Sequence, residues 1–191
     1  MKNIAIIAGG NSSEYEVSMK SGKNIYDKVD ETRYNKYLVV LKERDWHVEI
    51  GEEKYPVDKN DFSFTRNGEK ILFDFAYITI HGVPGENGLL QGYLDMMGVP
   101  YGCCNVLASA LTFDKHTCNT YLKSYGVNVA DSVMLIRGMA YDVNEIINEV
   151  GLPCFVKPNA EGSSFGVTKV KEAAQLEDAL KKAFALCQEV L

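Results

Sequence analysis

At 191 residues, with 46% hydrophobic and 24% charged residues, the chain has the composition of a globular protein of one or two domains. A formal net charge of −6 and a pI near 5.1 give no electrostatic support for a nucleic-acid partner, although net charge does not bar a local basic pocket. Met1-Lys2-Asn3 and the run Ile4 to Ala8 are too short and too quickly polar for a signal peptide, and no apolar run reaches transmembrane length, so a cytoplasmic protein with no membrane attachment is expected.

Ile4 to Ala8 is continuously apolar, the pattern of a strand covered on both faces. It ends in Gly9-Gly10-Asn11-Ser12-Ser13, and a helix is predicted to follow, with Ser13 as N-cap and Glu16 at capping-box spacing. Val17, Ile25 and Val29 would share its inner face. Strand, glycine turn and helix N-terminus together suit an anion or small ligand, but the G-x-G-x-x-G dinucleotide pattern is absent. Glu16 has a capping role to fill. Glu14 has none, so it either complements the helix dipole or holds a substrate ammonium group.

Tyr37 to Leu41 reads as a second strand, and the polar, partly alternating stretch from Lys42 to Lys70 as a small β-ribbon on the surface. Phe73 to Ile80 reads as a further buried strand. It ends in His81-Gly82-Val83-Pro84-Gly85-Glu86-Asn87-Gly88, and a helix with Leu89, Leu90, Tyr93, Leu94 and Met97 on its apolar face follows. Strands alternating with helices imply a parallel sheet whose ligands collect at the carboxyl ends of the strands. Glu14 and His81 both stand just after such ends, which sets His81 apart from His47 and His116, read as satisfied structural histidines. The five cysteines, Cys103, Cys104, Cys118, Cys154 and Cys187, are odd in number and lack metal-ligand spacing. They read as reduced thiols, with Cys103 and Cys104 as small buried side chains.

Gly98 to Gly102 forms a turn leading to Val106 to Leu111, and Asp114 is predicted to cap a helix that Gly126 ends. A boundary is placed at 112–115. Lys115 lies in the first turn of that helix, where a cation opposes the dipole unless an anion is near. Ser132 to Ile136 reads as a strand, Asp142 and Glu145 as a second capping box for a helix ending at Gly151, and Ala173 to Glu189 as an amphipathic helix. Between them, Gly151 to Val170 reads as a hairpin. Cys154-Phe155-Val156 ends in Lys157, a mobile tip carries Glu161-Gly162-Ser163-Ser164-Phe165-Gly166, and Val167 to Val170 returns. Glycine lets a ligand approach the backbone, and serine hydroxyls with free N–H groups suit phosphate oxygens. The alternative is a flexible surface hairpin whose lysine is merely solvated.

Four stretches occur in one order along nearly the whole chain. They are Gly9 to Ser18 (GGNSSEYEVS), His81-Gly82 with Gly85 to Gly92 (GENGLLQG), Ala108 to Leu111 with Asp114-Lys115, and Val156-Lys157-Pro158 with Glu161 to Gly166 (EGSSFG). In that combination the sequence resembles the D-alanine–D-alanine ligase family, within the ATP-grasp fold. The resemblance implies an α/β protein in two parts. Residues 1–113 would form an N-terminal parallel-sheet domain, Rossmann-like and of the pre-ATP-grasp type, and residues 114–191 the first, α+β subdomain of an ATP-grasp fold.

The resemblance also implies a reaction. ATP phosphorylates the carboxylate of one D-alanine, the amine of a second attacks the acyl phosphate, and D-alanyl-D-alanine, ADP and phosphate leave, as a step in peptidoglycan precursor synthesis. By similarity, Glu14 would orient the ammonium group of the first D-alanine and His81 would line the same pocket. Lys115 and Lys157 would neutralise ATP phosphates. Ser163 and Ser164 would lie on a loop closing over phosphates and substrate, with Gly162 and Gly166 as hinges, and Glu14 and Ser163 would be the catalytic residues. A homodimeric parent enzyme is implied as well. Asn87 stands where the family usually has Asp, and Cys103-Cys104-Asn105 replaces a more Gly/Ser-like turn. The family continues past Leu191 with an adenine-binding segment, a lid and the ligands of Mg2+. No metal ligand is therefore expected in these residues, and the chain resembles an N-terminal fragment, inactive alone. The rival readings are a D-alanyl-D-lactate or D-alanyl-D-serine ligase and a non-catalytic ligand-binding module.

Overall fold

The computed structural model describes residues 1–162 and 165–191. The chain divides into two compact units, Met1–Ala110 and Leu111–Leu191.

The first unit is built on one seven-stranded sheet, ordered β6-β5-β4-β3-β2-β1-β7. Strand β1 (Lys2–Gly9) lies at its heart, parallel to β2 (Tyr34–Lys42) on one side and to β7 (Phe75–Ile78) on the other. Alternate residues of β1 serve two layers. Ile6 and Ala8 pack with Leu38 and Val40 toward helix α1 (Tyr15–Lys28), whose Met19, Ile25 and Tyr26, with Val29 just beyond its end, border that layer. Ala5 and Ile7 face the other way, into a core with Leu90 and Leu94 of α2 (Leu89–Met97). The continuous apolar run of β1 is what burial on both faces requires.

The parallel part of the sheet is limited to these three strands. The stretch from Lys42 onward is not a surface ribbon. Strands β3 (Asp45–Ile50), β4 (Glu53–Asp58), β5 (Ser63–Arg66) and β6 (Glu69–Leu72) continue the main sheet as an antiparallel meander. It supplies much of the core. Phe62 and Phe64 are fully buried and meet Tyr37, Phe73 and Tyr93 in edge-on, tilted and stacked ring contacts at 5.0–5.8 Å. His47, on β3, is buried with Nδ1 3.3 Å from Asp45, while its Nε2 lies 3.6 Å from Glu49 Oε1, too far for a hydrogen bond. Its hydrogen bonding is thus only half satisfied.

Helix α1 departs from expectation in two ways. It begins one residue later than the Ser13 capping box requires, and no side chain caps it, so Glu16 is an acidic residue of the first turn and not a capping partner. Its sheet-facing side is made of small residues. Ser18 and Gly22 are buried, whereas Val17 is 49% exposed. A Cβ on Gly22 would lie 2.5 Å from Ala8 Cβ, so the helix sits closer to β1 than any larger residue allows. Cys103 and Cys104 are likewise not buried. They lie exposed before α3 (Val106–Phe113), where Asn105 Oδ1 accepts from the Ala108 N–H.

The second unit takes in the end of α3 and then α4 (Lys115–Ser124). Asp114 caps it, accepting from the Thr117 N–H at 2.7 Å. The expected Ser132 to Ile136 strand shrinks to β8 (Leu135–Ile136), and Asp142 caps α5 (Val143–Val150) through the N–H groups of Asn144 and Glu145. The hairpin forms from β9 (Cys154–Val156) and β10 (Thr168–Val170). A short 3-10 turn, Ala173–Gln175, precedes α6 (Leu176–Leu186), which buries Leu176, Ala179, Leu180 and Ala183. That helix stops before Glu189 because Glu189–Val190 forms a last strand, β11, paired with β8. Among the described residues no helix is long and apolar enough to cross a membrane.

Candidate functional site

Each unit gathers part of the predicted site. In the first, β1 and β7 are parallel neighbours, so the turns that leave them lie side by side. The Asn11 N–H donates to Val83 O at 2.8 Å, and Ser12 Oγ donates to His81 O at 2.8 Å while accepting from the Glu14 N–H at 3.2 Å. Ser12, not Ser13, therefore braces the turn that leads into α1. Ser18 Oγ accepts the His81 N–H at 2.8 Å, and Ser21 Oγ lies 3.4 Å from His81 Nε2. Glu86 accepts the Gly82 N–H at 2.6 Å, and the fully buried Gln91 donates to Gly85 O at 2.5 Å. Glu14 and His81 thus stand on two adjoining, cross-braced turns at the carboxyl end of the sheet. The sequence reading missed Ser12, Ser18 and Ser21. The available signal was two hydroxyls three residues apart on α1, one helical turn, aimed at the strand end that bears His81.

In the second unit, Lys115, Phe155, Lys157, Pro158, Glu161, Phe165 and Val167 line a cleft of about 360 Å³. Lys115 Nζ donates to the backbone carbonyls of Asn159 at 3.0 Å and Glu161 at 2.6 Å. Burial holds its pKa below the usual lysine value, and repulsion from Lys157 adds to the lowering, against a partial offset from Glu161 and Asp114. Neither lysine forms an ion pair among the described residues. Two ammonium groups held this way, one desolvated and each repelling the other, suit an incoming polyanion. They do not suit a magnesium ion, and among the described residues no three His, Cys, Asp or Glu side chains converge as metal ligands.

Of the loop residues, Gly162 and Gly166 are described, and Ser163 and Ser164 lie outside the described residues. Gly166 crosses Pro158 and Leu186, where a Cβ would stand 2.6 Å from Leu186 Cδ1. His116 is held by its backbone, the N–H donating to Asn159 Oδ1 at 2.9 Å. Its buried ring Nδ1 has no partner among the described residues, so it too is not fully satisfied.

Asp114 carries a testable charge. Burial works against its carboxylate, but hydrogen bonds from the Thr117 backbone and hydroxyl and from Asn159 outweigh that, and its pKa falls below the ordinary 3.8. A carboxyl lowered by folding contributes stability that is present above its unfolded pKa and lost as pH falls through the folded value. The denaturation midpoint should therefore drop below about pH 4, and Asp114→Asn should flatten that drop. Equal pH slopes for the two proteins would dismiss the assignment.

A family model described as D-ala D-ala ligase N-terminus matches residues 3–104, and one described as D-ala D-ala ligase C-terminus matches residues 121–191. The chain belongs to the D-alanine–D-alanine ligase family. It is 55% identical over 191 residues to the D-alanine–D-alanine ligase of Phocaeicola vulgatus, covering all of this chain and 59% of that protein. The chain therefore spans about three-fifths of the length of the curated relatives it matches. Among solved structures, the VanG D-Ala:D-Ser ligase of Enterococcus faecalis superposes with a TM-score of 0.83 at 30% identity, over 99% of this chain and 61% of that one. The D-alanine–D-alanine ligase of Bacillus anthracis complexed with ATP superposes with a TM-score of 0.77 at 28% identity, over 100% and 57%.

Proposed function

We propose that the chain carries the first-substrate turns and the first phosphate-binding half of an enzyme that joins two D-alanines at the expense of ATP. The observation that supports this most is the cleft of the second unit, which Lys115 and Lys157 both line and where, among the described residues, neither forms an ion pair, although Glu161 lines it too. An anion with several charges is the ligand such a pair favours, and the relative from Bacillus anthracis is described in complex with ATP. Lys115 and Lys157 then hold phosphate oxygens and offset the charge that builds up as the terminal phosphoryl group passes to a D-alanine carboxylate. Glu14 accepts the ammonium group of that D-alanine, and His81, braced by Ser18 and Ser21, borders it. Gly162, Ser163, Ser164 and Gly166 form the loop over the phosphates, Ser163 contacting substrate and phosphate alike.

Residues 1–113 form the substrate domain in this reading and residues 114–191 the partial ATP-grasp domain. Mg2+ belongs to ligands outside this chain, and no step is assigned through it. The homodimer and the cytoplasmic location rest on family resemblance alone. D-alanine is favoured over D-serine as the second substrate because the relatives from Phocaeicola vulgatus, Bacteroides fragilis and Parabacteroides distasonis, at 53–55% identity, are named for D-alanine.

The test is ADP release by the 191-residue chain and by a chain extended over the full length of its relatives. The short chain should release none, and the extended chain should release ADP in proportion to D-alanyl-D-alanine formed. ADP release that ignores D-alanine, or that prefers D-serine as second substrate, would reject the proposal.

A further inference from the structure

Asn159 follows Lys157 and Pro158 at the exit of β9, and its place in the fold is unusual. It is wholly buried, and its donors and acceptors join three separate segments. Its Nδ2 donates to Asp114 Oδ2 at 2.8 Å and to Glu189 Oε2 at 3.1 Å, and its Oδ1 accepts from the His116 N–H at 2.9 Å. Its own N–H donates to Glu189 O at 3.0 Å, and its carbonyl receives Lys115 twice, from the backbone N–H at 3.3 Å and from Nζ at 3.0 Å. The residue thus ties the first turn of α4 and the last strand β11 to the strand exit that begins with Lys157.

We propose that Asn159 is a positioning residue of the phosphate cleft, setting where the Lys115 ammonium group stands by clamping the first turn of α4 to the exit of β9. The inference rests on reading that cleft as a phosphate site. A side-chain amide is the group of this size that presents two donors and one acceptor in a plane. Here the two donors separate two carboxylates that would otherwise face one another without a proton between them, which a buried site resists strongly. Aspartate keeps the shape and loses both donors. Alanine loses everything. In either case Asp114 is driven to turn away from Glu189, and its Oδ1 then releases the Thr117 N–H it caps. The first turn of α4 loosens, and Lys115 leaves the two carbonyls that hold it.

The experiment is a titration of the Lys115 side chain by NMR in the 191-residue chain, with and without inorganic triphosphate, for the native protein, Asn159→Ala, Asn159→Asp and Ile146→Ala. Ile146 is buried in the core of the same unit and its side chain has no part in these hydrogen bonds, so Ile146→Ala provides a loss of stability without removing a bond of the clamp. In both Asn159 variants Lys115 should titrate higher, near an ordinary lysine, and triphosphate affinity should fall on the order of tenfold. Ile146→Ala should lower the melting temperature and leave the Lys115 titration where it was.

An unchanged Lys115 titration in a folded Asn159 variant would overturn the inference while leaving the phosphate reading intact. Failure of the native chain to bind triphosphate, with Lys115 still released by Asn159→Ala, would remove the phosphate reading and keep the clamp. Loss of the folded state in both Asn159 variants would overturn the inference too, because the residue would then support the fold rather than aim the lysine.

Discussion

Gly22→Val should destabilise the first unit by about 3 kcal/mol or more, well beyond the effect of an ordinary helix substitution. On propensity alone the change would help, since glycine in a helix interior costs about 1 kcal/mol relative to alanine. Packing reverses the sign. A Cβ at this position would stand 2.5 Å from Ala8 Cβ and 3.1 Å from Thr79 Oγ1, and valine adds two methyl groups beyond it. Ala8 lies in the middle of the sheet, and Thr79 Oγ1 donates to Ile7 O at 2.9 Å, so neither can retreat. The helix must lift instead, opening the layer of Ile6, Ala8, Leu38 and Val40. It would also carry Ser18 and Ser21 away from His81, so any D-alanine binding should weaken with stability. Urea denaturation of the two proteins measures the first effect. A neutral result would mean that α1 does not pack on β1 as closely as described.

Lys115→Met in the extended ligase should lower kcat/KM for ATP by about two to three orders of magnitude, the usual effect of removing one preorganised charge from a site where negative charge develops. Methionine keeps the length of the side chain and its burial, so the loss reads the charge. Lys157→Met should act in the same direction and leave a second mark. Repulsion from Lys157 is the next cause, after burial, of the lowered pKa of Lys115, so removing it should raise the Lys115 titration. A Lys157→Met protein with full activity and an unmoved Lys115 would separate the two lysines and undo the idea of a shared cleft.

Features set by neighbours in sequence were legible and features set by distant partners were not. The apolar run of β1, the Asp114 cap and the hairpin of β9 and β10 each declare themselves within a few residues, because burial on two faces, a helix start and a glycine-rich turn have local chemical requirements. Ser12 and Ser13 offer the same hydroxyl to the same helix. What selects Ser12 is the carbonyl of His81, 69 residues away. The meander looked polar because each strand alternates, yet Phe62 and Phe64 turn inward to rings contributed by Tyr37, Phe73 and Tyr93. Strand β11 is two residues long and exists only because β8 is there to pair with it. At the candidate site, Glu14, His81, Lys115 and Lys157 could be singled out as candidates from their places after strands and in turns. Asn159 was not, since nothing near it in the chain indicates that two carboxylates will converge on its amide.

The pairing of β11 also bears on the order in which a ribosome could deliver this protein. Everything the first unit needs has been made by Ala110, so its sheet can close while the rest is still being translated. The second unit has no such early completion. Lys157 exchanges backbone hydrogen bonds with Leu191 at 2.9 and 2.8 Å, and Asn159 takes both a carbonyl and a carboxylate from Glu189. At roughly 5–20 residues per second, the lysine cleft waits several seconds after the first unit for the strand that fastens it. During that interval the emerging chain holds the finished turns of Glu14 and His81 and an open, unfastened hairpin.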